Sequence, residues 1–180
     1  MDADCAHFLN EKLGVCAITS GDPAAVLAAE HYSYDAIGLW HAIKHMPTPW
    51  IVLKEASRRL NPDGVLVVAA PNPLAWQARL MKGRRPHFDL PRHLFELPIN
   101  WLVTFGGKLN LTLELVTTRD KGSLYWNRFS WGLLLRSLSR NPRVQDRLWR
   151  LGLQVGRLLE PWEGREGHGA TYTIILRRSA

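Results

Sequence analysis

His45, His87 and His93 are the side chains of this sequence best suited to moving a proton, because an unperturbed imidazole titrates near neutrality. A histidine that takes a proton from an oxygen or nitrogen nucleophile serves group transfer, where holding the acceptor in line supplies much of the rate. For each of the three, a solvent-facing or structurally hydrogen-bonded ring is the plainer alternative. His87 and His93 belong to a long basic segment around residues 82–92. Within it, Arg92 can grip an acidic acceptor with two parallel hydrogen bonds or simply pair with Asp89. Other chemistries are poorly served. No Ser, His and Asp fall in a nucleophilic order, no Gly-x-x-x-x-Gly-Lys loop is present, and no spacing suggests a metal site. Cys5 and Cys16 have no partner at zinc-finger spacing, so buried or idle thiols are expected and a structural disulfide is not.

The elements that must position these residues centre on the stretch from Tyr34 to Pro73. Residues 35–40 form a short apolar run, and residues 65–70 form a second. Neither alternates, which suits strands covered on both faces of a parallel sheet. Between them Trp50, Leu53, Ala56 and Leu60 recur three or four apart, with Lys54, Glu55, Arg58 and Arg59 opposite, as an amphipathic helix requires. Pro62 disfavours helical dihedrals at Asn61, and Asn61-Pro62-Asp63-Gly64 suits a type I turn. Strand, helix, turn and strand make a right-handed βαβ crossover. Ligands of such sheets sit beyond the carboxyl ends of the strands, here the loops starting near Trp40 and Pro71.

Around this unit the pattern implies a helix over residues 6–13 stopped by Gly14, a strand over 15–19, and a helix over 24–30. Residues 74–81 suit one or two helical turns, and a loop as long as 82–92 suits a lid or binding loop. A helix follows Pro98 to Phe105 and ends at Gly106-Gly107, and strands are expected over 111–117 and 170–176. Residues 124–159 set Trp126, Phe129, Trp131 and Trp149 among leucines and arginines. There Val144, Leu148, Leu151, Val155 and Leu158 form a helical stripe, explained by packing against the sheet or, more sharply, by membrane-interface contact.

With 180 residues and 46% apolar content, one domain with a substantial core is expected. No run of eighteen apolar residues occurs, and Met-Asp-Ala-Asp-Cys is unlike a signal peptide, so a cytoplasmic protein, peripheral to the membrane at most, is expected. The net charge of +7 suits nucleic acid, an anionic membrane surface or an acidic ligand, with solvated surface as the bland reading.

The segment Tyr34-Asp35-Ala36-Ile37-Gly38-Leu39-Trp40-His41-Ala42-Ile43-Lys44-His45, then Pro49, Leu60-Asn61-Pro62-Asp63-Gly64 and Pro71-Asn72-Pro73, resembles the second half of class I S-adenosylmethionine-dependent methyltransferases. The likeness is to the branch near ubiquinone-biosynthesis and related small-molecule enzymes. His87-Phe88-Asp89-Leu90-Pro91-Arg92-His93-Leu94 resembles the Asp-x-Pro-Arg-His-Leu loop of that branch. The resemblance covers about residues 1–117 and returns at the final strand.

It implies a Rossmann-like α/β methyltransferase sheet, N-terminally truncated, with strands three to seven present and a helical aromatic and basic insertion before the last strand. As one partial domain, residues 1–117 would be the core, 118–165 the insertion and 166–180 the last strand. The implied cofactor is S-adenosylmethionine. Asp22 matches the acidic position that commonly receives the adenine amino group, although a turn-forming Asp before Pro explains it equally well. Trp40 and His41 match the strand end that flanks the methionine part, with plain core as the alternative for Trp40. Asn72, His87 and Arg92 are the expected substrate contacts, with His45 and His93 as the catalytic bases.

The sequence also departs from the family. The glycine-rich loop after the first strand and the acidic residue after the second are absent, and Lys44 stands where Glu is usual. Gly164, Gly167 and Gly169 precede a strand rather than follow one. Without the first strand the edge of the strand at Ala36 is open and invites another chain to pair with it, so a piece of a longer protein, a rearrangement, or a second copy covering the edge is expected. The expected function is methyl transfer to a small or lipid-like acceptor, incomplete in this chain. The rival is a non-catalytic remnant whose aromatic and basic helices bind a protein partner or an anionic membrane; nucleic acid is the least favoured partner.

Overall fold

The computed structural model describes residues 3–82, 89 and 91–179. A four-stranded sheet in the order β1-β2-β4-β3 is built from β1 (Tyr34–Trp40), β2 (Leu60–Pro71), β3 (Leu111–Thr117) and β4 (Thr171–Arg178). Strands β1 and β2 run parallel with Ala36 opposite Val65 and Trp40 opposite Ala69, while β4 is antiparallel to both β2 and β3. Helix α3 (Pro49–Arg59) joins β1 to β2. Pro49 occupies its first turn, where a missing N–H costs nothing, and Val52, Leu53 and Ala56 enter the core. Trp50, expected on the core stripe, is 40% exposed and rests edge-on against Phe95 instead.

The turn at the start of β2 also differs from expectation. Tyr34 pairs with Leu60 and Ala36 with Val65, so residues 61–64 bulge out of the ladder. Asp63 has φ 64°, the left-handed value that a type II turn needs at its third position and a type I turn does not. Gly64 is required here, because a Cβ would lie 2.9 Å from the Asn61 carbonyl oxygen.

The apolar side of the sheet packs Leu39, Leu66, Val68, Tyr172, Ile174 and Leu176 against α3 and α5 (Ile99–Gly107), which supplies Leu102. The Tyr172 hydroxyl donates to the Leu97 carbonyl at 2.9 Å, so even this buried phenol is satisfied. Helix α2 (Pro23–Ala29) leans on α3, and the Arg59 guanidinium closes its end by donating to the Leu27 and Ala28 carbonyls.

The N-terminal segment corrects one expectation. Helix α1 (Ala3–Leu13) ends at Gly14, φ 62°, but residues 15–19 form no strand. They have no neighbouring strand to pair with; the Asn10 side chain instead brackets Ala17 by hydrogen bonds of 2.8 and 3.1 Å. Val15 and Ile18 are each 50% exposed, so the strand expected third in the family order is missing and β1 is an edge. Cys5 and Cys16 are exposed rather than buried.

The stretch between β3 and β4 is a helical hairpin, α6 (Lys121–Arg136) and α7 (Pro142–Glu163). It corrects a second expectation, since α7 packs on α6 rather than on the sheet. The crossing is closed by glycines: a Cβ on Gly152 would fall 2.4 Å from the Trp131 carbonyl oxygen, and one on Gly156 2.8 Å from the Arg128 Cα. The hairpin is anchored to α4 (Trp76–Met81) by a buried polar group. Gln77 donates to the Asn127 carbonyl and to the Glu163 carboxylate, each at 2.8 Å, and the Trp131 indole donates to the same carboxylate at 2.8 Å. Burial pushes the Glu163 carboxyl above its ordinary value, against these two hydrogen bonds. Among the described residues no helix is long and apolar enough to cross a membrane.

Candidate functional site

The chain leaves β1 abruptly. His41 adopts φ 51° while its N–H still donates to the Ala69 carbonyl at 2.8 Å, so the backbone turns away one residue past the paired strand. A single 3-10 turn, Ile43–His45, follows, pinned by the fully buried Ile43. The Lys44 carbonyl then receives the N–H groups of Leu94 and Phe95 at 2.8 and 3.3 Å. This ties the end of the basic loop to the end of β1.

The result is a cleft of about 400 Å³ at the carboxyl ends of β1 and β2. His41, Lys44 and His45 form one wall, Asp89, Arg92 and His93 another, and Trp126, Phe129 and Leu133 of α6 the apolar third, over Pro71 and Thr171. This is where the parallel strand ends were expected to place a ligand.

Within the cleft, the His45 Nδ1 lies 2.8 Å from the Arg92 carbonyl oxygen. A carbonyl only accepts, so Nδ1–H is the donor and the neutral ring keeps its lone pair on Nε2. The His93 ring stands 5.0 Å away, tilted by 60°, and His93 is buried where His45 is exposed. Burial lowers the His41 imidazole below its ordinary value, reinforced by Lys44 and His93 and opposed by Asp120. Burial likewise lowers the Lys44 ammonium, with Arg92 adding to it while Asp89 and Glu96 oppose. Arg92 pairs with Asp89 at 3.0 Å, both partners substantially exposed. Of its two expected roles, the internal ion pair is the one present, with the remaining guanidinium donors still on the cleft wall.

Other expected residues lie elsewhere. Asp22 caps α2, with one carboxylate oxygen accepting the Ala24 and Ala25 N–H groups at 3.0 Å each, and it does not line the cleft. Trp40 is 64% exposed, edge-on to His41 at 6.0 Å and outside the cleft. Asn72 is buried; its amide donates to the Gly167 and Gly169 carbonyls and its oxygen accepts from Leu74 N–H, a brace between β2 and the approach to β4. His87 lies outside the described residues.

Sequence reasoning missed the third wall. The aromatic content of α6 was visible, but that Trp126 and Phe129 face the strand ends depends on the hairpin folding back through its glycines. It also missed Asp120, which caps α6 and lies close enough to favour the charged form of His41.

No family model and no curated protein matches the sequence. Solved structures do match. One is a SAM-dependent methyltransferase from Archaeoglobus fulgidus, at TM-score 0.60 and 15% identity over 98% of this chain and 73% of that one. The fold is similar to that of S-adenosylmethionine-dependent methyltransferases. A Galdieria sulphuraria protein proposed to be a sarcosine dimethylglycine methyltransferase matches at TM-score 0.57 and 20% identity, over 97% of this chain. This chain spans 64% of its length. The [4+2]-cyclase SpnF matches at TM-score 0.54 and 16% identity, over 99% of this chain and 61% of that one. A cyclase among the matches means that the fold alone does not name the reaction.

S-adenosylmethionine brings a sulfonium cation, a ribose diol and an adenine. Among the described residues, the cleft sets Lys44, Arg92 and three imidazoles against one carboxylate, Asp89, already paired with Arg92. That set suits an anion better than a sulfonium. The described glycines with positive φ, Gly14 and Gly167, follow α1 and precede β4, so neither makes a turn at a strand end under which the cofactor could lie. Among the described residues of the cleft, no carboxylate besides Asp89 is offered to the ribose hydroxyls or the adenine amine.

Proposed function

We propose that this chain holds the acceptor in an S-adenosylmethionine-dependent methyl transfer, with a small or lipid-like acceptor lodged in the cleft. The observation that carries the reading is the convergence of His41, His45 and His93 with an aromatic wall at the carboxyl ends of two parallel strands. His45 is the base of choice, since its hydrogen bond to the Arg92 carbonyl leaves Nε2 to take a proton from the acceptor. Lys44 and Arg92 orient an acidic group of the acceptor, and Trp126, Phe129 and Leu133 cover its apolar part and keep out water. His93 steadies the ring of His45.

A second reading is a scaffold without catalysis. It is favoured by Asp22, whose carboxylate is engaged in capping α2, and by the poor match between the cleft's charge and a sulfonium. Titration calorimetry with S-adenosylmethionine separates the two. A one-to-one isotherm, followed by transfer of labelled methyl that H45A depresses, is expected of the acceptor-site reading. No heat up to millimolar cofactor would leave the scaffold.

A further inference from the structure

We propose that the α6–α7 hairpin is a docking surface for anionic membranes, with α7 lying along the lipid interface. Val144, Leu148, Leu151, Val155 and Leu158 recur three or four residues apart and therefore share one face of α7. Contact with α6 uses a different face, that of Gly152 and Gly156. Val144, Leu151 and Leu158 are thus left outside, with Leu148 and Val155 half-buried beside them. Leu158 is 80% exposed, Leu151 53% and Val144 41%, and Trp162, farther along the same face, 42%. Leu138, in the turn between the helices, adds a side chain that is 65% exposed. A surface helix of this pattern normally turns its stripe to the core, and an exposed apolar strip rimmed by charge marks a binding face.

The charge beside the stripe selects the occupant. Arg143, Arg147, Arg150 and Arg157 are all exposed along α7. Of the acids on that helix, Glu163 is buried, Glu160 is paired with Arg128, and Asp146 alone is left exposed without an ion pair among the described residues. Leucine and tryptophan on one face with arginines beside them is the composition of helices that rest in a lipid headgroup layer. A second copy meeting this face about a two-fold axis would set one arginine row against the other, which like charges oppose. A polyanion such as RNA would use the arginines and leave the leucines in water. Among the described residues no helix is long and apolar enough to cross a membrane, so the proposed contact is one of a surface helix.

Docking there also connects to the cleft. Phe129 lines both the cleft and a groove of about 240 Å³ between the helices, whose other walls include Tyr125, Trp149, Leu153 and Arg157. A lipid-like acceptor would pass from the interface past Phe129; this last point rests on the acceptor-site reading, while docking itself does not.

The test is flotation of the whole chain with phosphatidylglycerol-containing vesicles and with pure phosphatidylcholine vesicles, alongside light scattering of the free protein. Wild type should float with the anionic vesicles, less so at high salt. The double variant L151Q/L158Q should bind roughly tenfold or more weakly, as loss of buried leucine surface requires. R147Q/R150Q should bind more weakly and with a shallower salt dependence. All these side chains are exposed, so thermal unfolding should be unchanged and will reveal any variant that fails to fold. The proposal fails if wild type does not float, or if L151Q/L158Q floats as well as wild type. It also fails if light scattering shows a dimer that L151Q/L158Q dissolves, which would assign the stripe to a second copy. Silence in the S-adenosylmethionine calorimetry alongside normal flotation would remove the acceptor-site reading and leave the docking surface standing.

Discussion

Replacing Gly152 with alanine tests the feature on which the cleft's third wall depends. The added Cβ would lie 2.4 Å from the Trp131 carbonyl oxygen, 2.6 Å from the Gly132 Cα and 2.7 Å from its nitrogen. All three are backbone atoms, so no side chain can rotate away and the helices must separate. Ordinary contact begins near 3.4 Å, so the required opening approaches an ångström. Overpacking of this kind costs about 3 kcal/mol, at the upper end of its usual range because backbone must move. Alanine returns up to about 1 kcal/mol through its better helix propensity. The net loss of about 2 kcal/mol corresponds to a melting temperature lower by roughly 4–8 °C for a chain of this size. Gly107 is the control, since a Cβ there meets nothing within 4 Å, and G107A should melt at or slightly above wild type. Thermal unfolding followed by circular dichroism reads both. Melting of G152A at or above the wild-type temperature would refute the close crossing, and with it the placement of Trp126 and Phe129 over the strand ends. If the crossing opens as expected, tryptophan emission should shift to the red before global unfolding, because Trp149 sits against Gly132 across the same interface.

Two further outcomes follow from single residues. Burial raises the folded-state carboxyl of Glu163, so its contribution to stability is fully present below the unfolded glutamate value, about 4.3, and is lost as pH rises through the folded value. E163Q keeps an acceptor for Trp131 and Gln77 without a charge; relative to wild type it should gain stability as pH rises from about 4 toward neutrality, read by denaturant midpoints, and a pH-independent difference would contradict this. D22A should lose about 1 kcal/mol with the α2 cap while D22S, which still caps, retains most of it; equal losses in denaturant melts would mean that capping is not what the carboxylate does.

The central crossover was legible because its information is local. Short apolar runs around a helix-period segment identify buried parallel strands, and the parallel pairing of Ala36 with Val65 bears this out. The last two strands were legible for the same reason, with β3 falling on residues 111–117 as expected. The position of the site followed from topology, since ligands of such sheets gather at strand ends. Residues 15–19 mark the limit of local reading: their composition favours a strand, but a strand exists only if another donates and accepts its hydrogen bonds. Asp22 was ambiguous on sequence, and among the described residues its carboxylate serves the cap.

What the sequence by itself determined was periodicity, and through it the elements and the ends where His41, His45 and Arg92 emerge. Which face each helix presents to which neighbour was decided only in three dimensions. The stripe of α7 shows why: a helical pattern of leucines states that one face is apolar, but not what lies against it. Steric fit at Gly132, Gly152 and Gly156 lets α6 take the other face, carries Phe129 to the cleft, and leaves Leu151 and Leu158 in water. Close backbone approach is a property of pairs of segments, so no reading of one segment at a time contains it.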